Sequence, residues 1–401
     1  MAVSRRARIL LCALALGGVT SVWADPVTDS WVSTYRRATT IEQRLQIMQS
    51  MVALDDPALV PVLADALRDQ LDLREQRSRT DEVLWGSLVR LIVEKLARSG
   101  ARETAPLLYR VVEQAQDPVV RAEALEALGA VGATDYADEI ALLLRNLALY
   151  RGEHLEGEET LAAAAITALG ALRQEVGYTA VFAALHTGIS RRVTDLADEA
   201  LAHMVPDPTT ILESLVRDEA DVGVKLLALR RGLSSDAPVA SKARLAAAAL
   251  EQGLTRVSNT PTETTSLSLL RSEAMTGIAK AAVADAAVPA ASVRLAARVL
   301  DLDADVNELL LAVDTLRSIR GASASDALLE FLLRSNDRQA AGLVASPDRI
   351  RVVVAAIQAL GALGARNALP ELTRTQVIAT WPGSLIAEAK AAVQAIASTR
   401  N

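Results

Sequence analysis

The sequence predicts an all-α fold, a right-handed α-solenoid of stacked antiparallel helix pairs. Three observations carry that expectation. The 401 residues are 51% hydrophobic but only 3% aromatic, so alanine, leucine and valine supply the apolar content, as in helices packed closely through small side chains. The same apolar stripe recurs along the chain at helical spacing. A glycine follows that stripe in most copies. A single compact core would be unusual at this length, and internal repetition selects an array over several separate domains.

The first helix of each repeat is fixed by the reference residues Leu96, Leu128, Leu169, Met204, Leu316 and Leu360. Four positions earlier stand Ile92, Ala124, Ala165, Ala200, Ala312 and Ala356; three earlier stand Val93, Leu125, Ile166, Leu201, Val313 and Ile357. Eight earlier stand Leu88, Val120, Leu161, Leu196, Glu308 and Val352, with Glu308 the one polar member. These offsets fall on one face of an α-helix, and the alanines let a neighbouring helix approach closely.

The second helix follows at a fixed distance. Twelve residues after the reference points come Leu108, Ile140, Val181, Val216, Leu328 and Leu372, all apolar. Sixteen after come Val112, Leu144, Leu185, Ala220, Leu332 and Gln376. Between the helices the expected breakers are Gly100, Gly132, Gly177, Gly321 and Gly364, since glycine suits the left-handed turn past a helix end.

Helix starts agree. Asp56-Pro57, Asp117-Pro118 and Asp207-Pro208 each set a capping acid before a proline tolerated in the first turn. Thr40 and Gln43 have the spacing of a capping box. The run Asp117, Pro118, Val120, Arg121, Ala124, Leu125, Leu128, Gly129 and Gly132 resembles the HEAT-like repeat found in bilin-lyase-type proteins. The stretch from Ile350 to Leu372, with Ala359-Leu360-Gly361-Ala362-Leu363-Gly364, resembles it again. A tetratricopeptide array would need recurring bulky aromatics that this chain lacks. The likeness belongs to the repeat rather than to an activity.

Residues 1–24 read as a cleavable signal peptide: Arg5, Arg6 and Arg8 form a basic start, Ile9 to Val19 is a short apolar run, and Val22-Trp23-Ala24 offers a cleavage site before Asp25. The apolar run is short for the competing reading, an uncleaved anchor helix. Leu11 before Cys12 does not fit a lipoprotein. Removal of this segment leaves no cysteine, excluding disulfides and thiol chemistry, and takes the net charge from −7 to −10. The expected location is periplasmic or secreted, with no membrane insertion after processing. An acidic chain repels phosphate backbones, so nucleic acid is not an expected partner. A chromophore lyase does not fit an exported chain without cysteine.

Repeats are expected over 25–252 and 267–401, with the Thr/Ser-rich segment 253–266 as a joint. Successive reference points lie 32, 41, 35, 112 and 44 residues apart, and the gap of 112 holds about three more repeats of typical length. About nine or ten repeats are expected in all. Ser241 to Glu251 and Val293 to Leu302 read as helices within the blurred stretch 221–303. Charged interruptions fall at Leu71 to Thr80 and Tyr150 to Thr160.

Chemistry is sparse. The acidic stretch 153–159 groups His154, Glu156 and Glu158, either a metal site or a solvated loop. Asp301, Asp303 and Asp305 alternate like the start of a calcium loop, but Val306 and Ala312 stand where glycine and glutamate are required; helix capping by Asp303 or Asp305 explains them more simply. His154, His186 and His203 form no His-Glu dyad of the kind in HEAT-type hydroxylases, and no Gly-x-Ser-x-Gly or phosphate loop occurs. No catalytic residue and no cofactor are therefore expected. The expectation is a scaffold for protein–protein interaction; the alternative is an enzyme or metal-dependent factor centred on 153–159. By resemblance to HEAT-like arrays, second helices line the concave face. Arg110, Arg145, Arg334 and Arg374 fall fourteen to eighteen residues after their reference points, a row suited to an acidic partner, or else paired with neighbours such as Glu330 and Glu371.

Overall fold

The structure, a computed structural model, describes residues 26–54, 56–72, 79–149, 156–283, 289–301 and 304–398. The predicted signal segment 1–24 lies outside them. Among the described residues are twenty α-helices and no strand. The expected helices in the blurred stretch are present as Val239–Thr255 and Pro289–Leu300. Contacts gather the chain into two compact units: described residues up to Leu172 with Ile189–Leu196, and Arg173–Gly188 with the residues from Ala197 onward.

In the first unit the helices are α1 (Pro26–Arg37), α2 (Ile41–Val52), α3 (Leu59–Asp72), α4 (Arg79–Ser99), α5 (Ala105–Gln114), α6 (Pro118–Ala130), α7 (Ala137–Leu149) and α8 (Glu156–Leu172). Helices α2, α4, α6 and α8 stack in one layer, α3 and α5 in the other, and each odd helix packs on the even one after it. This two-layer array of helix pairs is an α-solenoid. Each stripe is buried as its spacing requires, with Leu96, Ala124, Leu128, Ala165 and Leu169 closed to solvent.

The second unit repeats the scheme with α9 (Glu175–Thr187), α10 (Arg191–Met204, from Ala197), α11 (Thr209–Asp218), α12 (Val222–Ser234), α13 (Val239–Thr255), α14 (Pro261–Val283), α15 (Pro289–Leu300), α16 (Val306–Ile319), α17 (Ala322–Ala340), α18 (Pro347–Ala362), α19 (Leu369–Val377) and α20 (Gly383–Ser398). Helices α12, α14, α16, α18 and α20 form one layer and α11, α13, α15, α17 and α19 the other. Between Met204 on α10 and Leu316 on α16 there are two further first-layer helices, α12 and α14, where the spacing predicted three repeats. The 23-residue α14 takes up the difference. Residues 253–266 lie inside this unit as the end of α13, a short turn and the start of α14. Glu263 closes that turn, accepting from Asn259 N at 2.9 Å and from Arg256 Nε at 2.8 Å.

Local rules account for the helix ends. Thr40 and Gln43 form the capping box, and Asp117 Oδ1 accepts from Val119 N at 2.8 Å. After Leu128 and Leu360 the chain turns through Gly132 and Gly364, at φ 69° and 64°. Ala133 N donates to Leu128 O at 3.0 Å and Ala365 N to Leu360 O at 3.1 Å, so the reference leucine supplies the carbonyl that closes the cap. Gly177, expected as a breaker, does not end a helix. Gly177 is buried within α9, and the left-handed residue after Leu169 is Arg173, at φ 52°. In α10 the buried face has rotated: Val193, Ala197, Leu201 and Met204 are buried while Leu196 and Ala200 are half-exposed.

A second device recurs at the start of first-layer helices. Four residues past the N-cap, a basic side chain reaches back to the open carbonyls ending the preceding helix. Arg44 Nε donates to Ala38 O (3.4 Å) and Arg121 Nε to Val112 O (2.8 Å). Lys225 Nζ donates to Val216 O (2.5 Å), Arg217 O (3.1 Å) and Gln252 Oε1 (3.0 Å). Burial pushes the Lys225 ammonium below the usual lysine range, with the nearby Arg256 adding to it and Asp218 and Glu219 opposing. A cation at a helix C-terminus also suits the dipole.

Candidate binding cleft

The cleft that stands out lies in the second unit, where α17 ends and α18 begins. Gly342, at φ 82°, terminates α17; Leu343 N donates to Arg338 O at 2.9 Å and Gly342 N to Gln339 O at 3.1 Å. Ser346 then caps α18, its hydroxyl accepting from Arg349 N at 3.2 Å. The segment between these caps forms one lip, and its Leu343 and Val344 side chains are 56% and 70% exposed.

Beneath the lip is a buried polar network. Gln339 Oε1 accepts from Ala345 N (2.9 Å), and its Nε2 donates to Thr380 O (2.8 Å). Asn336 Nδ2 donates to Glu371 Oε1 (2.8 Å) and Thr375 Oγ1 (2.9 Å), and its Oδ1 accepts from Trp381 Nε1 (2.9 Å). Asn336, Gln339, Thr375 and Trp381 are all buried. A fully satisfied network in low dielectric holds its members rigidly. The walls are therefore pinned to α19 and to the turn that follows it.

The cleft has a volume of ≈ 760 Å³, within the range of ligand sites. Phe331 and Trp381 line it together with Arg334, Arg338 and Arg349. Arg349 Cζ sits 5.4 Å from the centroid of the Phe331 ring, a cation–π arrangement. Burial pushes the Arg349 guanidinium below its usual range; Arg338 pushes it the same way, and Asp301 opposes. Arg334 is paired with Glu330 at 2.5 Å, and the lining residue Asp337 with Arg374 at 2.7 Å. Among the described residues no carboxylate lies within ion-pair distance of Arg338 or Arg349.

A second groove, of ≈ 650 Å³, lies in the first unit between α2, α4 and α6. Both of its arginines are paired: Arg90 donates to both oxygens of Glu123 at 2.8 and 2.9 Å, and Arg98 pairs with Glu94. Glu126 on its wall is raised above the usual carboxylate range by burial and by Glu123, against Arg192.

The four arginines read from the sequence fall as follows. In the first unit Arg110 pairs with Asp72 at 2.7 Å, and Arg145 Nε donates to Ala141 O at 3.3 Å. In the second, Arg334 pairs with Glu330, and Arg374 with Asp337 and, at 3.2 Å, with Glu371. Only Arg334 of these lines the cleft; Arg338 and Arg349 were not singled out by repeat offsets. His154 lies outside the described residues. Glu156 and Glu158 stand in the first turn of α8 rather than in a loop, where acids suit the dipole. His186 and His203 are exposed; His186 Nδ1 lies 2.9 Å from Phe182 O. Among the described residues no group of three His, Cys, Asp or Glu side chains is placed to hold a metal. Asp305 caps α16, accepting from Asn307 N at 2.9 Å, and Asp301 pairs with Arg298 at 2.6 Å. Asp303 lies outside the described residues.

The fold and cleft define a helical-repeat protein. No protein-family model matches the chain, and no curated protein matches it. Solved structures similar to it include an engineered protein at 16% identity, covering 92% of this chain and 98% of that one with a TM-score of 0.35. Human deoxyhypusine hydroxylase in complex with glycerol is similar at 17% identity, over 84% of this chain and 96% of that one, with a TM-score of 0.25. Importin beta is similar at 13% identity, over 93% and 60%, with a TM-score of 0.27. At these scores the superpositions are partial, and the fold rests on the packing described above. No described helix is long and apolar enough to cross a membrane.

Proposed function

We propose that this protein is an exported HEAT-like repeat scaffold that binds a protein partner in the periplasm or outside the cell, without catalysing a reaction. The observation that carries the reading is the cleft between α17 and α18. It offers cations and exposed apolar side chains on rigid walls, a composition suited to recognition. Helix arrays present such surfaces along their length. Export rests on the basic and apolar pattern of residues 1–24.

Capture from an envelope extract with the purified chain tests the binding role. One stoichiometric protein retained at moderate salt supports it. A stoichiometric metal in the purified protein, with nothing captured, would sink it in favour of a metal-dependent factor at 153–159. Mass spectrometry of the chain from its native envelope tests export: the expected N-terminus is Asp25, and an intact Met1 would refute processing.

A further inference from the structure

We propose that the cleft between α17 and α18 receives an extended peptide segment of the partner, holding an acidic side chain between Arg338 and Arg349 and an apolar side chain against Leu343, Val344 and Trp381. This inference rests on the reading of the protein as a scaffold and names what the scaffold recognises.

The first argument is charge. Neighbouring arginines of the second unit are matched by acids: Arg334 with Glu330, Arg374 with Asp337, Arg317 with Asp314, Arg298 with Glu308. Arg338 and Arg349 share one cleft without such a partner among the described residues. Exposed Arg338 and half-buried Arg349 line the same cleft; two like charges there repel each other, and a carboxylate placed between them relieves that repulsion. A guanidinium presents a planar pair of donors that a carboxylate accepts in charge-assisted bonds. Of the acids around the cleft, Asp337 is engaged by Arg374 and Asp301 by Arg298. The incoming group is the one that balances the site.

The second argument is shape. Leu343 and Val344 lie exposed on the lip beside the arginines, with Phe331 and Trp381 behind them. Acidic and apolar groups are thus wanted in one cleft, and an extended peptide offers them from residues i and i+2, whose side chains share a face. The third argument is preorganisation. Gln339 and Asn336 pin the lip and the Trp381 wall through buried hydrogen bonds, which lowers the ordering cost of binding.

The test titrates the full chain with two capped nine-residue peptides that differ only in a central Leu-Ser-Glu-Ser-Leu or Leu-Ser-Gln-Ser-Leu. Arginine Nε–H and tryptophan indole N–H signals are followed by NMR, with affinities from calorimetry. The glutamate peptide is expected to move the Arg338, Arg349 and Trp381 signals and to bind about tenfold or more tightly than its glutamine twin. Arg338→Gln and Arg349→Gln should each erase the difference, and Arg366→Gln, on an exposed turn of the same unit, should not. Because Arg349 packs on Phe331, the exposed Arg338 provides the variant that leaves folding unaffected. Equal affinity for the two peptides, no binding of either, or larger shifts with inorganic phosphate than with the peptide would each overturn the proposal. Envelope capture with the double variant separates the two readings. A partner kept by Arg338→Gln/Arg349→Gln removes the cleft but leaves the scaffold, whereas no partner on the unaltered chain removes the scaffold.

Discussion

Replacing Glu308 by glutamine should destabilise the second unit by about 3–5 kcal/mol at neutral pH, the cost of breaking a buried ion pair from one side. Glu308 is 4% exposed. Its carboxylate accepts from Arg271 Nε at 2.5 Å and Nη2 at 2.9 Å, and from Arg298 Nε at 2.8 Å. Glutamine keeps the volume but leaves two partly buried guanidinium groups facing each other, with only Arg298 still in an ion pair, to Asp301. Burial pushes the Glu308 carboxyl up, but the hydrogen bonds and charges of Arg271 and Arg298 outweigh it, so the group sits below the ordinary glutamate value. A depressed folded-state pKa stabilises fully above the unfolded value of about 4.3 and is lost as pH falls through the folded one. The gap between native protein and variant should therefore persist from pH 7 down to about 5 and close below about 4. Hydrogen exchange along the chain is the assay, because an array has no single two-state midpoint. Protection should fall in α14 to α16 first. Converting the cluster to apolar groups (Glu308→Leu with Arg271→Met and Arg298→Leu) should return stability to within about 2 kcal/mol. The shortfall includes about 1 kcal/mol for the Arg271 bond to Gly253 O. A change below about 1 kcal/mol for Glu308→Gln, or a loss spread evenly over both units, would refute this account.

Other perturbations test the packing and the surface. Ala124→Leu or Ala356→Leu should overpack a fully buried contact and cost about 1–3 kcal/mol, with exchange rising near the altered repeat; unchanged protection there would show the alanine column is misread. Gly129→Ala places a Cβ 2.8 Å from Ala168 Cα, so α6 and α8 must separate. The expected net loss is about 1–2 kcal/mol, despite the gain in helix propensity, and a thermal midpoint raised by the substitution would count against it. Once a partner is known, charge reversal at Arg110, Arg145, Arg334 and Arg374 together should weaken binding without unfolding. Unchanged affinity would remove those side chains from the interface.

The repeat was legible because one helical face carries it. All six residues twelve positions past the reference points, Leu108 through Leu372, are fully buried. The failures have physical causes. Gly177 was read as a breaker because glycine often takes a left-handed φ, but Arg173 does so here and Gly177 packs inside α9. Glu308 looked like a flaw in an apolar column, because Arg271 is 37 residues away in sequence and only folding brings it across. The turn at Thr260–Glu263 carried its own mark: the threonine with glutamate three residues later is a capping-box spacing, and Glu263 N does donate to Thr260 Oγ1 at 3.2 Å.

The cleft was hidden by the choice of what to count. Offsets from the reference leucines sort side chains by helix face, and by that measure Arg334 and Arg374 looked unusual. A count of acids one helical turn away finds the cations matched within their own helix, and misses those matched across the fold, such as Arg271 by Glu308. Arg334 has Glu330 four residues before it, Arg98 has Glu94, Arg217 has Glu213 and Arg317 has Asp314 three before, and each of these pairs forms. Arg338 and Arg349 have no acid three or four residues away on either side. Arg349 also stands three residues past its N-cap, where Arg44, Arg121 and Lys225 stand four past theirs. At four, the side chain reaches back to the preceding helix and its charge is absorbed by carbonyls. At three, in α18, the guanidinium lies over Phe331 instead. A one-residue displacement within a repeated pattern thus converts a helix-capping cation into one facing the cleft. In a solenoid, where most positions are set by stacking, such departures from the repeat are where recognition can be written.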